Sequence, residues 1–197
     1  MPDVFVGRQP IFDRHLEVVA YELLFRSSHR NWANITDGEY ATSQVIHHAI
    51  REIGLESLVG SKRAFVNLPG DFILQGYMAL LPTDRVVLEV LEDIVVDAEL
   101  IEALRAQSHQ GYTIALDDFV FHEQLRPLVE IANIIKVDVL ALDRPALRQN
   151  VARLGQYDVE LLAEKVETHD DLTCCQDLGF DYFQGYFLCE PDIVTGQ

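Results

Sequence analysis

The sequence predicts an α/β fold in which about eight parallel strands alternate with helices and close into one barrel. Three observations carry this reading. Short β-branched or apolar runs alternate with helix-period segments along the chain. A polar residue, most often a carboxylate, recurs within or just after each apolar run. No glycine-rich phosphate loop follows the first run, which disfavours a doubly wound open sheet, the alternative fold.

The strand-like runs cover residues 4–6, 18–25, 64–68, 86–90, 113–116, 134–137, 159–163 and 182–183. Helical patterns lie between them. "ATSQVIHHAIREIG" sets Val45, Ile46, Ala49, Ile50 and Ile53 at helical spacing and stops at Gly54. "DAELIEALRAQSHQG" takes Asp97 as its N-cap and Gly111 as its stop. "HEQLRPLVEIA", "DRPALRQNVARLG" and "THDDLTCCQDLG" repeat the scheme, with Pro127 weakening the start of the first. No linker, low-complexity tract or internal repeat interrupts the chain, so residues 1–197 read as one domain.

Composition narrows the chemistry. With 197 residues, 49% of them apolar, the chain can bury a sizeable core. Its net charge of −17 repels polyanions, which argues against DNA or RNA polymers as partners and leaves carboxylates free for hard cations. Cys174, Cys175 and Cys189 make no disulfide framework, and reduced thiols suit a cytoplasmic protein. The opening "MPDVFVGRQP" lacks the basic and apolar regions of a signal peptide, and no uncharged run is long enough to span a membrane.

The strand-end residues are Glu22, Asn67, Glu89, Asp117 with Asp118, Lys136 with Asp138, Glu164, and Gln184. Parallel barrel strands end on one rim, where barrel enzymes build their sites. Carboxylates gathered there repel one another unless something neutralises them. An all-oxygen donor set, without Cys or His, favours Mg²⁺, Mn²⁺ or Ca²⁺ over zinc. Adjacent acids at 117 and 118 suit a paired-metal site with one bridging carboxylate, the arrangement that supports attack of water on a phosphodiester. Lys136 among them could orient water or offset phosphate charge. Rim acids paired for stability alone would explain any one position better than they explain the set.

In this arrangement the sequence resembles the EAL-domain family from about Gln9 to Pro191. The segments are "RQPIFD", "YELLFR", "FVNLP", "LEVLE", "ALDDF", "IKVD", "AEKVET" and "DYFQGYF", in that order. The resemblance implies a compact, modified TIM (β/α)8 barrel that hydrolyses cyclic di-GMP to the linear dinucleotide with Mg²⁺ or Mn²⁺, Ca²⁺ being expected to inhibit. By it, Glu22, Asn67, Glu89 and Asp117 would hold one metal, and Asp117, Asp118 and Glu164 the other. Lys136 would assist the attacking water, with Glu164 as candidate base. Gln9, Pro10, Arg26, Asp138 and Gln184 would bind or orient the dinucleotide, and Glu92 and Glu167 would support the loops.

The chain also departs from the family pattern. Leu23 replaces the alanine of the signature, and Lys165 replaces a glycine beside Glu164, its ammonium able to pair with a rim acid but more expected to face solvent. Where active relatives read D-D-F-G-T-G-Y-S, this chain has Val120, Phe121, His122, Glu123 and Gln124, a stiffer segment without glycine. The stretch from Ala41 through Asn67 to Glu89 is compact. These features resemble a subgroup of shortened domains often fused to a helical HDOD domain, so the chain could be a piece of such a protein. A homodimer is implied as well. Two readings stay open: a metal-dependent phosphodiesterase, and an inactive EAL domain that senses cyclic di-GMP or contacts protein partners.

Overall fold

A computed structural model of the chain describes residues 5–25, 53–76, 81–92 and 94–195. Eight strands close into a barrel: β1 (Phe5–Asp13), β2 (Val18–Phe25), β3 (Arg63–Leu68), β4 (Val86–Val90), β5 (Thr113–Leu116), β6 (Ile134–Asp138), β7 (Glu160–Glu164) and β8 (Tyr182–Phe183). A further strand, β9 (Asp192–Thr195), pairs with the outer part of β1. Strands β2 to β8 run parallel in chain order, as the alternation predicts.

Strand β1 corrects the all-parallel expectation, because it is antiparallel to both β2 and β8. The cause is local. Only residues 14–17 separate β1 from β2, too few for the crossover that a parallel neighbour needs. The Asp13 carboxylate closes this turn by accepting the N–H groups of His15 (2.8 Å) and Glu17 (3.0 Å). Strand β1 also runs past the predicted residue 6 to Asp13, through Gly7 and Pro10, residue types that usually weaken a strand.

The helices are α1 (Leu55–Val59), α2 (Gly70–Leu74), α3 (Ala98–His109), α4 (Arg126–Val129), α5 (Arg144–Leu154) and α6 (His169–Leu178). Asp97 caps α3 by accepting from Leu100 N at 2.9 Å, as the sequence predicts. Asp143 does the same for α5, and Thr168 with Asp171 forms a capping box on α6. Pro127 lies in the first turn of α4, where its missing N–H has no helical partner to lose. Between β3 and β4 the described helix α2 has five residues. Most of the predicted 41–54 helix, with His47 and His48, lies outside the described residues, as does Arg26.

Two apolar layers hold the barrel. The outer faces of the strands pack against the helices, with Leu88, Leu104, Ile135, Leu154 and Phe180 among the residues fully removed from solvent. A separate cluster of Ile11, Ala20, Phe65, Val87, Ala115, Ile134 and Leu162 brings one inward residue from each of seven strands and plugs the interior. Burying one of its larger side chains contributes roughly 1.5–3 kcal/mol.

Candidate metal centre

Side chains alternate along a strand, so the residue two beyond each plug residue also points inward. On β2 to β8 those residues are Glu22, Asn67, Glu89, Asp117, Lys136, Glu164 and Gln184. On the antiparallel β1 the equivalent residue lies two before Ile11 and is Gln9, which pairs with Glu22 across the sheet. The barrel therefore carries a polar layer directly above its apolar plug, at the C-terminal rim. It opens into a cleft of about 400 Å³ lined by residues including Gln9, Glu22, Asp117, Asp118, Glu164, Lys165, Glu167, Gln184 and Tyr186.

Lys136 is the centre of this layer and is 0% exposed. Its Nζ lies 2.7 Å from Asp117 Oδ1, 2.9 Å from Glu164 Oε1 and 3.8 Å from Glu22 Oε2, and it also touches Glu89 Oε1. Burial by itself would discharge the ammonium, but Glu89, Glu164, Glu22 and Asp117 outweigh it and hold Lys136 charged, its pKa well above the ordinary value. One ammonium cannot neutralise four acids. Burial pushes the Glu89 carboxyl well up, and the negative charges of Glu22 and Asp117 add to this against the pull of Lys136. Burial likewise raises Glu164, to about 8. Near neutral pH this layer therefore retains protons that exposed carboxylates would have lost.

Amides and a second ammonium complete the rim. Glu22 accepts from Asn67 Nδ2 at 3.1 Å and from Gln184 Nε2 at 2.6 Å. Gln184 Nε2 also reaches Gln9 Oε1 at 3.1 Å. Lys165 Nζ contacts Asp138 Oδ2 and lies 3.4 Å from Asp118 Oδ2. Burial would raise Asp138, but the bond from Lys165 and the N–H groups of Leu140 and Ala141 keep its carboxyl below the ordinary value.

This donor set fits hard divalent cations. Among the described residues, Asn67 Oδ1, Glu89 Oε2, Asp118 Oδ1, Glu164 Oε2 and Gln184 Oε1 are buried oxygens without a hydrogen-bond donor. Each such group costs about 1–3 kcal/mol if left unpaired. Asp117, Asp118 and Glu164 offer oxygens within 4.8 Å of one another. Among the described residues, six acids (Glu22, Glu89, Asp117, Asp118, Asp138 and Glu164) face two ammoniums, Lys136 and Lys165, leaving four formal negative charges. Two divalent cations carry that charge.

The segment after the paired acids is fixed to α5. Phe119 and Phe121 are buried in the outer core. Asn150, itself buried, accepts from Phe121 N at 2.9 Å and donates to Phe119 O at 3.3 Å, and the Phe121 ring lies 5.7 Å from that of Tyr157. Asp118 has φ 43, a left-handed conformation that aspartate tolerates better than most residues.

Other expected site residues fall differently. Pro10 neighbours Gln9 on β1, so its ring points to the opposite face, away from the cleft. Glu167 stands exposed on the cleft lip, whereas exposed Glu92 lines a neighbouring groove with Ile94, Val96, Val120 and Leu125. Lys165 is a correction, since its ammonium does not simply face solvent: Asp118 and Asp138 both lie within its reach. Two contributors escaped the sequence reading. Asn150 is one, with no signal in a polar helix to mark it. Gly185 is the other: a Cβ there would overlap the Val166 backbone, a close approach that the "QG" pair could have suggested.

The comparisons with known proteins agree with this geometry. The EAL domain family model matches residues 42–191. The chain is 37% identical over 198 residues to Uncharacterized protein YuxH of Bacillus subtilis (strain 168), covering 98% of this chain and 48% of that protein. It is 32% identical over 197 residues to Cyclic di-GMP phosphodiesterase CdgJ of Vibrio cholerae serotype O1, covering 98% of this chain and 46% of that one. It thus spans about half the length of the curated relatives it matches. Among solved structures, BlrP1 of Klebsiella pneumoniae in its manganese/cy-diGMP complex superposes with a TM-score of 0.79 at 22% identity, covering 98% of this chain and 56% of that one, and so speaks to the fold.

Proposed function

The chain belongs to the EAL domain family, and on that premise we propose that it hydrolyses cyclic di-GMP to linear pGpG with Mg²⁺ or Mn²⁺ in bacterial second-messenger signalling. The observation that carries the proposal is the set of buried, undonated oxygens converging on one rim around Lys136. A site freed from cation chemistry has no physical reason to keep them. The naming of CdgJ as a cyclic di-GMP phosphodiesterase and the manganese in the BlrP1 complex point the same way.

Glu22, Asn67, Glu89 and Asp117 are the residues for one cation, and Asp117, Asp118 and Glu164 for the other. Bound there, the cations would polarise the phosphodiester and acidify the attacking water. With cations there, Glu22, Glu89, Asp117 and Glu164 would share their charge with Lys136, whose N–H donors would serve water or a phosphate oxygen. Glu164 is the candidate base for that water, and its Oε2 is a buried oxygen with no hydrogen-bond donor among the described residues. Gln9 and Gln184 line the cleft where the dinucleotide would lie, with Asp138 fixed beside it and Arg26 assigned to phosphate.

A second reading is that the domain binds cyclic di-GMP without turnover. The pinning of Phe119 and Phe121 by Asn150 favours it, because it fixes the segment after Asp118. Chromatography of cyclic di-GMP incubated with the protein and Mn²⁺ separates the two. Linear product supports hydrolysis; intact dinucleotide bound to the protein supports the second reading. The proposal also carries Ca²⁺ as an inhibitor, a cytoplasmic location, a homodimer and a C-terminal HDOD partner. What supports the last is the likeness to the shortened, often fused subgroup, and the two curated relatives are about twice as long as the match. Among the described residues no helix is long and apolar enough to cross a membrane.

A further inference from the structure

We propose that Lys165 is a built-in competitor for the second cation: its ammonium engages the outer oxygen of Asp118, so a divalent ion binds the inner oxygen against that positive charge. The inference rests on the proposed cation site and concerns how tightly that site loads.

Three independent observations converge on Lys165. The first is contact. Its Nζ lies 3.4 Å from Asp118 Oδ2 and bonds Asp138 Oδ2, while Asp118 Oδ1 is buried and has no donor among the described residues. The two oxygens of one carboxylate thus have different surroundings, one facing the ammonium and one buried, in a residue that offers an oxygen within 4.8 Å of those of Asp117 and Glu164. The second is backbone strain. Lys165 has φ 56, a left-handed conformation that costs a side-chain-bearing residue roughly 1–2 kcal/mol and that glycine adopts freely. A lysine persists there only where its surroundings over-determine it, and Asp118 and Asp138 are those surroundings. The third is exposure of the charge. The Lys165 side chain is 50% exposed at the cleft lip, so its ammonium can swing toward solvent when a cation arrives. Lys136, by contrast, is sealed in the barrel and cannot leave.

A unit charge opposing a divalent ion across one carboxylate in a water-exposed site changes affinity by about tenfold. The test is Mn²⁺ binding to the full chain without dinucleotide, followed by titration calorimetry and by the Mn²⁺ electron-spin signal. Lys165→Met removes the charge but keeps the length; Lys165→Gly also relieves the backbone; Lys165→Arg keeps the charge. Thermal melts report folding of each variant. The expected result is a second Mn²⁺ bound about tenfold more tightly by the Met and Gly variants, with Arg close to the unaltered protein. A second equivalent seen only in the Met and Gly variants is the same result in stronger form. Equal or weaker second binding in both overturns the competitor and leaves the cation site standing. No Mn²⁺ binding by any of the four proteins overturns both.

Discussion

The Asn150 side-chain oxygen accepts the backbone N–H of Phe121 at 2.9 Å, tying the segment that follows the paired acids to helix α5. The same amide donates to Phe119 O, one residue beyond Asp118. A side chain on a remote helix thus sets the path of the chain leaving the candidate metal ligands.

Replacing Asn150 with Ala should leave the Phe121 N–H and Phe119 C=O unpaired in the core. About 2 kcal/mol of stability, and roughly 5 °C in melting temperature, should be lost. Hydrogen exchange is the sharper measurement: amides of residues 119–121 should exchange faster while those of α3 are unchanged. Unaltered protection at Phe121 would show that Asn150 does not hold the segment.

Lys136→Met should destabilise the protein by about 3–5 kcal/mol at pH 8 without divalent cation, because it strands the buried carboxylates of Glu22, Glu89 and Glu164 and the half-buried one of Asp117. The deficit should shrink at pH 5, where Glu89 and Glu164, both pushed upward by burial, hold their protons, and should shrink again with Mn²⁺. Thermal melts at the two pH values check this. A variant as stable as the parent at pH 8 would mean that the ammonium does not offset the cluster.

The cation-free protein should lose stability as pH rises from about 5 to 8. The sign follows from burial of Glu164: unfolded, its carboxyl ionises near 4.5; folded, it keeps its proton up to about 8. The folded state binds more protons in that window, so stability falls by about 1.4 kcal/mol per pH unit for each retained proton. Glu89 is shifted in the same direction. Melting temperature should drop by roughly 3–5 °C per unit. Saturating Mn²⁺ and Glu164→Gln should each flatten the dependence. A melting temperature that holds steady over this range would remove the proposed proton retention.

Gly185→Ala should lower stability by more than an ordinary surface substitution, since the new Cβ meets the Val166 backbone N, C and O. The shift required also moves Gln184, which bonds Glu22. Weaker Mn²⁺ binding is therefore expected beside the lower melting temperature, and calorimetry reads both. A variant with parental stability would show that β7 and β8 can part at this point without cost.

Much of the site was legible because strand period and chemistry coincide. Glu22, Glu89, Asp117, Lys136 and Glu164 each sit two residues beyond an apolar plug residue, so a polar group inside an apolar run marked an inward position at the rim. Helix ends were legible for the same local reason: Asp97 is a side chain acting on its own segment. The antiparallel setting of β1 was not, because Gly7 and Pro10 mask a strand whose pairing is decided by a turn. Nor was Asn150, whose function depends on Phe119 and Phe121, about thirty residues away. Lys165 was misjudged since neither Asp118 nor Asp138 is its neighbour in sequence.

The most direct measurement is the rate of cyclic di-GMP hydrolysis as Mn²⁺ is added back to chelator-treated protein. The account predicts no product before addition, linear dinucleotide accumulating as the cation loads, and a loss of at least about a hundredfold in Glu22→Gln or Lys136→Met. Bound cyclic di-GMP that stays intact at every Mn²⁺ concentration would contradict it.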